Sequence, residues 1–113
     1  MNKLLINGES KRYGIIGYPL KHTLSPLIHN GLFEKSGINA FYFPFEISPE
    51  RFEKTVPFLR NLFSGFNITV PYKESLLPHL DGVCEKSLQI GAVNTVFFRE
   101  GKWLGTNTDR AGF

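Results

Sequence analysis

The chain has 113 residues, of which 42% are hydrophobic and 20% are charged, a composition typical of one globular domain. Its formal net charge is +3, but the lysines and arginines are scattered, whereas a nucleic-acid-binding face needs them clustered. The single cysteine, Cys84, excludes an internal disulfide, and no metal-ligand spacing surrounds it. No apolar stretch approaches the roughly 20 residues that span a bilayer. We therefore expect a cytoplasmic protein without a nucleic-acid, membrane or metal partner.

The first third of the chain predicts a strand followed by a helix. Residues Arg12–Gly17 form a short apolar run that ends in a Gly-Tyr-Pro turn signal, which indicates a buried strand. Ser25 and Pro26 predict a helix start, because serine is a good N-cap and proline loses nothing at the first helical position. We expect this helix to end near Ser36, with Gly37 as its left-handed stop.

The next segment predicts an edge strand and then a broken helix. Residues Ala40–Ile47 indicate a second strand, and Pro44 within it cannot donate to a ladder, so the strand should lie at a sheet edge. A second serine-proline pair follows, and Pro57 is expected to kink or split the helix that begins there. The buried face of that helix is predicted to carry Phe52, Val56 and Leu59.

The remaining elements complete an α/β pattern. We expect a third strand at Gly65–Val70, a helix at Tyr72–Leu77 and another helix at Glu85–Ile90. Two apolar runs, Ala92–Phe98 and Lys102–Gly105, are separated by a short turn and predict a hairpin. Strands that alternate with helices predict a three-layer α/β domain, with a mostly parallel sheet flanked by helices and an antiparallel piece near the C-terminus.

Two clusters of polar residues lie where predicted strands end, which is where open α/β sheets bind ligands. Thr23 and Ser25 could both donate to one carboxylate beside a helix N-terminus, or they could be an ordinary turn residue and a helix cap. Asn67 and Thr69 point to the same face if their segment is a strand. Lys73 follows at the start of the next predicted helix, where the helix dipole slightly opposes its charge, so it is either a functional or a surface lysine.

Two further clusters lie in the last quarter of the chain. Asn94 interrupts an apolar run, and because a buried amide needs partners, it either satisfies backbone groups or faces a ligand. Asn107, Thr108 and Asp109 could form an ordinary polar turn. Alternatively, Asp109 could pair with a lysine in a cleft, and such a pair can act as a proton-transfer unit.

Taken in order, four motifs of the chain resemble the shikimate dehydrogenase family. They are IIGYPLKHTLSPLIHN, GFNITVPYK, IGAVNT and GTNTDRAGF, and the resemblance covers the chain from about Arg12 to Phe113. It implies that residues 1–113 are the substrate-binding N-terminal domain, the first of two α/β lobes with the active site between them. It also implies the NADPH-dependent, reversible reduction of 3-dehydroshikimate to shikimate in chorismate and aromatic amino-acid biosynthesis.

The resemblance assigns roles to individual residues. Thr23 and Ser25 would hold the substrate carboxylate, and Lys73 and Asp109 would contact the substrate as the catalytic pair. Ring hydroxyls would be bound by side chains that can donate or accept hydrogen bonds: Asn67, Thr69, Asn94 and Asp109. NADP would be bound by a second domain that this chain does not contain, so we expect the chain alone to be inactive.

Some alternatives stay open at this stage. Thr23 stands where the family commonly has serine, and its extra methyl narrows the pocket, so a quinate/shikimate dehydrogenase of broader specificity, including one that uses NAD, is an alternative. A stand-alone binding module for a hydroxylated carboxylate is a second alternative, from a different functional class. The sequence does not decide the oligomeric state, and a homo-oligomer is one option.

Overall fold

The computed structural model describes residues 6–108, apart from the side chains at positions 86 and 88. Its strands are β1 (Lys11–Gly17), β2 (Ala40–Glu46), β3 (Gly65–Ile68), β4 (Gly82–Val83), β5 (Thr95–Arg99) and β6 (Lys102–Thr106). They form one sheet in the order β2-β1-β3-β5-β6-β4. Strand β1 is parallel to β2 and β3, and β4 is parallel to β6, whereas β5 is antiparallel to β3 and β6. The predicted mostly parallel sheet with an antiparallel piece is confirmed.

Helices cover both faces of this sheet. They are α1 (Ser25–Ser36), α2 (Phe52–Thr55), α3 (Leu59–Leu62) and α4 (Glu85–Ile90), with 3-10 turns at Pro49–Arg51, Val56–Phe58 and Leu77–His79. Ile15 and Ile16 are neighbours in β1 and therefore point to opposite faces. Ile16 belongs to the main core, which includes residues of α2 and α3, whereas Ile15 packs with Tyr42 and Phe33 in a smaller cluster below α1. The predicted three-layer α/β class is therefore confirmed.

Proline positions behave as the sequence predicts. Strand β2, which contains Pro44, lies at one edge of the sheet, so the missing N–H of that proline costs no ladder bond to a second neighbour. Pro57 splits the predicted helix into α2 and α3, which are joined by the 3-10 turn. The predicted inner face of this pair is buried, with Phe52, Val56 and Leu59 each less than 5% exposed.

The ends of helix α1 can be explained by individual residues, whereas none of its side chains is buried. Gly37 terminates it with φ of 69°, the left-handed stop that was predicted. The prediction that Ser25 is the N-cap is wrong: α1 already includes Ser25 as its first residue, and Leu24 occupies the cap position without a side-chain cap. No residue of α1 is buried, and Leu27 is 75% exposed. Within residues 6–108, no helix is long and apolar enough to cross a membrane.

The predicted helix at Tyr72–Leu77 is wrong. The segment forms successive turns that end in the 3-10 turn Leu77–His79. Most of its backbone bonds span three residues, as between the Leu77 N–H and the Glu74 carbonyl at 3.2 Å. Pro78 explains this outcome, because it has no N–H to donate to Glu74 and its ring would clash with that carbonyl in an α-helix. The helix predicted at Glu85–Ile90 is confirmed as α4, and so is the hairpin, in which β5 and β6 are joined through Glu100 and Gly101 at positive φ.

Candidate functional site

Polar side chains from separate parts of the chain meet along the edge of the sheet that is formed by the C-terminal ends of β1 and β3. This sheet edge runs across the strands and is distinct from the side of the sheet formed by edge strand β2. Thr69 directly follows β3, and Asn94 directly precedes β5, which starts at this edge because it runs antiparallel to β3. Asn107 follows the end of β6, which returns to the same edge. Ser25 opens α1 after the loop that leaves β1. Segments that are far apart in the sequence, and that were predicted separately, therefore lie close together in the structure.

Tyr42, a residue of edge strand β2, links two of the predicted site residues. Its hydroxyl donates to Asn67 Oδ1 at 2.8 Å, and the Ser25 hydroxyl lies close enough to affect its pKa. Burial raises the pKa of Tyr42 to about 12, and the Ser25 hydroxyl opposes this rise only in part. The hydroxyl therefore stays protonated at neutral pH, so it remains a donor to Asn67.

Helix α1 fixes the position of Tyr42 from outside the sheet. Asn30 Nδ2 donates to the Tyr42 carbonyl, and the Tyr42 N–H donates to Asn30 Oδ1, both at 2.7 Å. These two bonds satisfy backbone groups on the open side of an edge strand, which would otherwise need water. The ring of His29 stacks on the Tyr42 ring with centroids 4.2 Å apart. Neighbouring residues of α1 thus hold both the backbone and the ring of Tyr42.

Asn94 and Thr95 continue the network toward the C-terminal segment. Asn67 Nδ2 donates to Thr95 Oγ1 at 3.1 Å, and Thr95 Oγ1 donates to Asn94 Oδ1 at 2.9 Å. Asn94 Oδ1 also accepts the backbone N–H of Thr108 at 3.0 Å. Of the two roles predicted for Asn94, satisfying a backbone group is therefore confirmed. A role in binding ligand stays a prediction.

Thr23 and Thr69 lie at the ends of the two loops that flank this network. Thr23 Oγ1 accepts the N–H of Ser25 at 3.4 Å, and the Thr69 N–H donates to the Ile16 carbonyl at 2.9 Å. Thr69 approaches Gly17 so closely that a Cβ at position 17 would lie 2.4 Å from Thr69 Cγ2. Glycine at that position therefore permits the ends of β1 and β3 to meet at the site.

Lys73 is half-buried and is held by its neighbours along the backbone. Its carbonyl accepts the N–H of Val93 at 3.0 Å, which ties it to the residue before Asn94. The preceding residue, Tyr72, is 3% exposed, and its hydroxyl donates to the Ile47 carbonyl. Lys73 thus lies in an anchored turn beside Asn94. Asp109, its predicted catalytic partner, lies outside the described residues.

An apolar cavity of about 370 Å³ opens beside the polar network on the α1 face of the sheet. Tyr42, Asn67 and Thr95 line one part of it, and aromatic residues such as Tyr13 and Phe97 line another part. Neither the predicted catalytic lysine nor the predicted carboxylate-binding hydroxyls line this cavity. The polar edge of the sheet, and not the cavity, is therefore the candidate site. The residues described contain no cluster of three His, Cys, Asp or Glu side chains placed to hold a metal ion.

The thiol of Cys84 is expected to react at a lower pH than an ordinary cysteine. Its Sγ lies 2.9 Å from Ser87 Oγ and 3.3 Å from Thr106 Oγ1, and these hydroxyls lower its pKa to about 7. Alkylation by iodoacetamide should therefore show a rate midpoint near pH 7 instead of about 8.5, because the thiolate is the reactive form. Thr106→Val should move this midpoint upward, and a wild-type midpoint at or above pH 8.5 would contradict the expectation.

Comparison with known proteins identifies the family. Residues 15–96 match the family model described as the shikimate dehydrogenase substrate binding domain. This chain belongs to that family. A shikimate dehydrogenase (NADP(+)) of Aquifex aeolicus is 47% identical over 110 residues, which cover 96% of this chain and 41% of the relative. The crystal structure of shikimate dehydrogenase from Aquifex aeolicus aligns with a TM-score of 0.88 at 47% identity, over 96% of this chain and 41% of that one.

A second solved structure carries a ligand. Shikimate dehydrogenase from Thermus thermophilus in complex with shikimate aligns with a TM-score of 0.84 at 39% identity, over 91% of this chain and 40% of that one. This member of the shikimate dehydrogenase substrate-binding family therefore spans about 40% of the length of the curated relatives it matches.

Tyr42 and Asn30 belong to the polar network of this chain, but sequence reasoning missed them. Tyr42 lies in the apolar run AFYFPFEI, where its ring is expected in a core and its hydroxyl attracts no notice. One signal was available: a buried tyrosine hydroxyl usually has a hydrogen-bond partner, and an edge strand leaves backbone groups to be satisfied. That signal predicts the need for partners but does not name Asn67 or Asn30.

Proposed function

We propose that this chain is the substrate-binding domain of an NADP-dependent shikimate dehydrogenase, which reduces 3-dehydroshikimate to shikimate reversibly. Family membership supports the proposal, and one structural observation carries it: hydroxyl and amide side chains from three of the four motifs form one hydrogen-bonded cluster at the sheet edge. A small carboxylate that bears several hydroxyls needs such groups. A site built to bind hydroxyls also rejects analogues that lack them.

In this proposal, the N-terminus of α1 and the neighbouring polar cluster bind different parts of the substrate. Thr23 and Ser25 bind the carboxylate at the N-terminus of α1, where the helix dipole and the free amides favour an anion. The ring hydroxyls are bound by Asn67, Thr69 and Asn94, further along the sheet edge, and by Asp109. The substrate then lies across the ends of β1 and β3, which is where open α/β sheets bind ligands.

Lys73 and Asp109 form the proposed catalytic pair. On reduction, Lys73 supplies a proton to the carbonyl oxygen, and on oxidation it accepts the proton from the hydroxyl, with Asp109 holding its side chain in place. NADPH, when bound, supplies the hydride to the carbonyl carbon. The sequence contains no Gly-x-Gly-x-x-Gly motif, so a second domain of the complete enzyme is proposed to hold the dinucleotide. A cytoplasmic location accords with the free thiol of Cys84.

Thr23 favours an alternative enzyme of the same reaction class, with a different choice of substrate. Compared with serine, its extra methyl group narrows the part of the site that binds the substrate carboxylate, and this affects the choice between shikimate and the related acid quinate. A quinate/shikimate dehydrogenase of broader specificity is therefore the second candidate. The variant Thr23→Ser, compared with wild type on both acids, distinguishes a selective site from a broad one.

The test of the proposed function is a titration followed by NMR. Shikimate should cause saturable shifts of the backbone signals of Ser25, Thr69 and Asn94, and quinate should compete with it if the site is broad. Benzoate, a carboxylate without hydroxyls, should cause none. The complete dehydrogenase should also show NADP-dependent turnover of shikimate. Binding without turnover in the complete protein would favour a binding module, and the absence of both in a folded protein would refute the proposal.

A further inference from the structure

Thr95 occupies the middle of the polar network, between the two amides proposed to bind ring hydroxyls. Its Oγ1 lies 3.1 Å from Asn67 Nδ2 and 2.9 Å from Asn94 Oδ1. The register of the sheet explains this position, because Thr95 in β5 pairs directly with Asn67 in β3. One hydroxyl therefore contacts both amides at once.

The direction of each hydrogen bond in the network follows from one fixed donor. The backbone N–H of Thr108 can only donate, so the atom of Asn94 that faces it must be the carbonyl oxygen, Oδ1. Thr95 therefore gives its only proton to that oxygen and can act only as an acceptor toward Asn67. The atom of Asn67 that faces Thr95 must then be Nδ2, which leaves Oδ1 to face the Tyr42 hydroxyl.

This order decides what each amide has left for a ligand. Asn67 Oδ1 accepts one proton, from Tyr42, and keeps a lone pair. Asn94 Nδ2 donates one proton to Thr108 Oγ1, and within residues 6–108 its second N–H has no partner. Asn67 therefore offers an acceptor at the site, whereas Asn94 offers a donor.

We infer that Thr95 is a positioning residue that fixes the orientation of the Asn67 and Asn94 amides, so that one substrate hydroxyl donates to Asn67 and another accepts from Asn94. The inference rests on the proposed function for the identity of the ligand, but the orientation of the two amides does not depend on it. Asn67 Nδ2 also donates to the Asn94 backbone carbonyl, at 3.4 Å, so without the Thr95 hydroxyl it keeps only this longer bond. The orientation of the Asn67 amide is then held less firmly, and the match to a polyol is weakened.

The experiment compares Thr95→Val, which removes the hydroxyl at nearly constant shape, with Thr95→Ser, which keeps it. In the ligand-free protein, the side-chain amide NMR signals of Asn67 and Asn94 should shift in Thr95→Val and stay near wild type in Thr95→Ser. The Kd for shikimate should rise about 10-fold or more in the valine variant, the effect of losing a hydrogen bond of ordinary strength, and stay within about threefold in the serine variant. Thr95→Ala provides the same test if the valine variant does not fold.

Thr106→Val is the matched control. Thr106 pairs with Thr95 in the neighbouring strand and is also half-buried, but its hydroxyl contacts Cys84 Sγ and neither amide. It should leave both amide signals and the Kd near wild type. Unchanged amide signals in Thr95→Val and Thr95→Ala would overturn the inference, as would failure of serine to restore them. If wild type does not bind shikimate, the proposed function fails, and the amide signals still decide the role of Thr95.

Discussion

Replacing Lys73 by methionine should lower the kcat of the complete dehydrogenase by about 10²–10⁴-fold, the contribution that a positioned acid or base makes to proton transfer. Methionine keeps the length and apolar stem of the side chain but cannot carry a proton. The turn that holds Lys73 is anchored by its own backbone carbonyl and by buried Tyr72, which the substitution leaves in place. The fold should therefore survive the change, and KM for shikimate should change less than kcat.

Lys102→Met is the control for this substitution. Lys102 is exposed and begins β6 at the edge of the sheet opposite the site, so losing its charge should alter neither kcat nor KM beyond a small factor. Steady-state rates at saturating shikimate and NADP would be compared for wild type and both variants, with circular dichroism to confirm folding. A kcat of Lys73→Met within about tenfold of wild type would remove Lys73 from the proposed chemistry, because general acid–base catalysis contributes more than that.

Much of the fold was predictable where a single residue limits its own backbone. Gly37 stops α1, Pro44 confines β2 to an edge, and Pro57 divides α2 from α3, each because of a steric rule that acts within a few residues. The helix predicted at Tyr72–Leu77 did not form, because Pro78 limits more than the end of the segment: without its N–H the chain tightens into turns whose bonds mostly span three residues. The strand β4, two residues long, carries no periodic signal, since its existence depends on pairing with β6.

The candidate site was predictable as segments but not as a network. Sequence position identified Asn67 and Asn94 as polar groups in apolar surroundings, since buried amides need partners wherever they occur. The partners themselves are set by strand register, which places Thr95 opposite Asn67 and brings Tyr42 from the far side of β1. No local rule in the sequence encodes that register. The interpretation of Ser25 as a helix cap failed because α1 starts at Ser25 itself, which leaves Leu24 at the cap position.

Replacing Leu59 by alanine should lower the free energy of unfolding by about 2–5 kcal/mol, the range seen when a buried leucine leaves a cavity. Leu59 has no exposed surface and lies in the main core at the start of α3. Its position after the proline-containing turn leaves little freedom for the backbone to close the space. Urea denaturation should show a lower midpoint with an unchanged slope, and the Tm should fall by roughly 10 °C or more.

Phe58→Ala is a stringent comparison, since Phe58 adjoins Leu59 but is 61% exposed. Its loss should change the free energy of unfolding by about 0.5 kcal/mol or less, although more carbon atoms are removed than in Leu59→Ala.

The main core lies on the face of the sheet opposite Tyr42 and the cluster below α1, so Leu59→Ala should destabilise the whole domain without rearranging the polar network. The Kd for shikimate of the folded fraction should then match wild type. Equal destabilisation by both alanine variants, or weakened binding in folded Leu59→Ala, would contradict this separation of core and site.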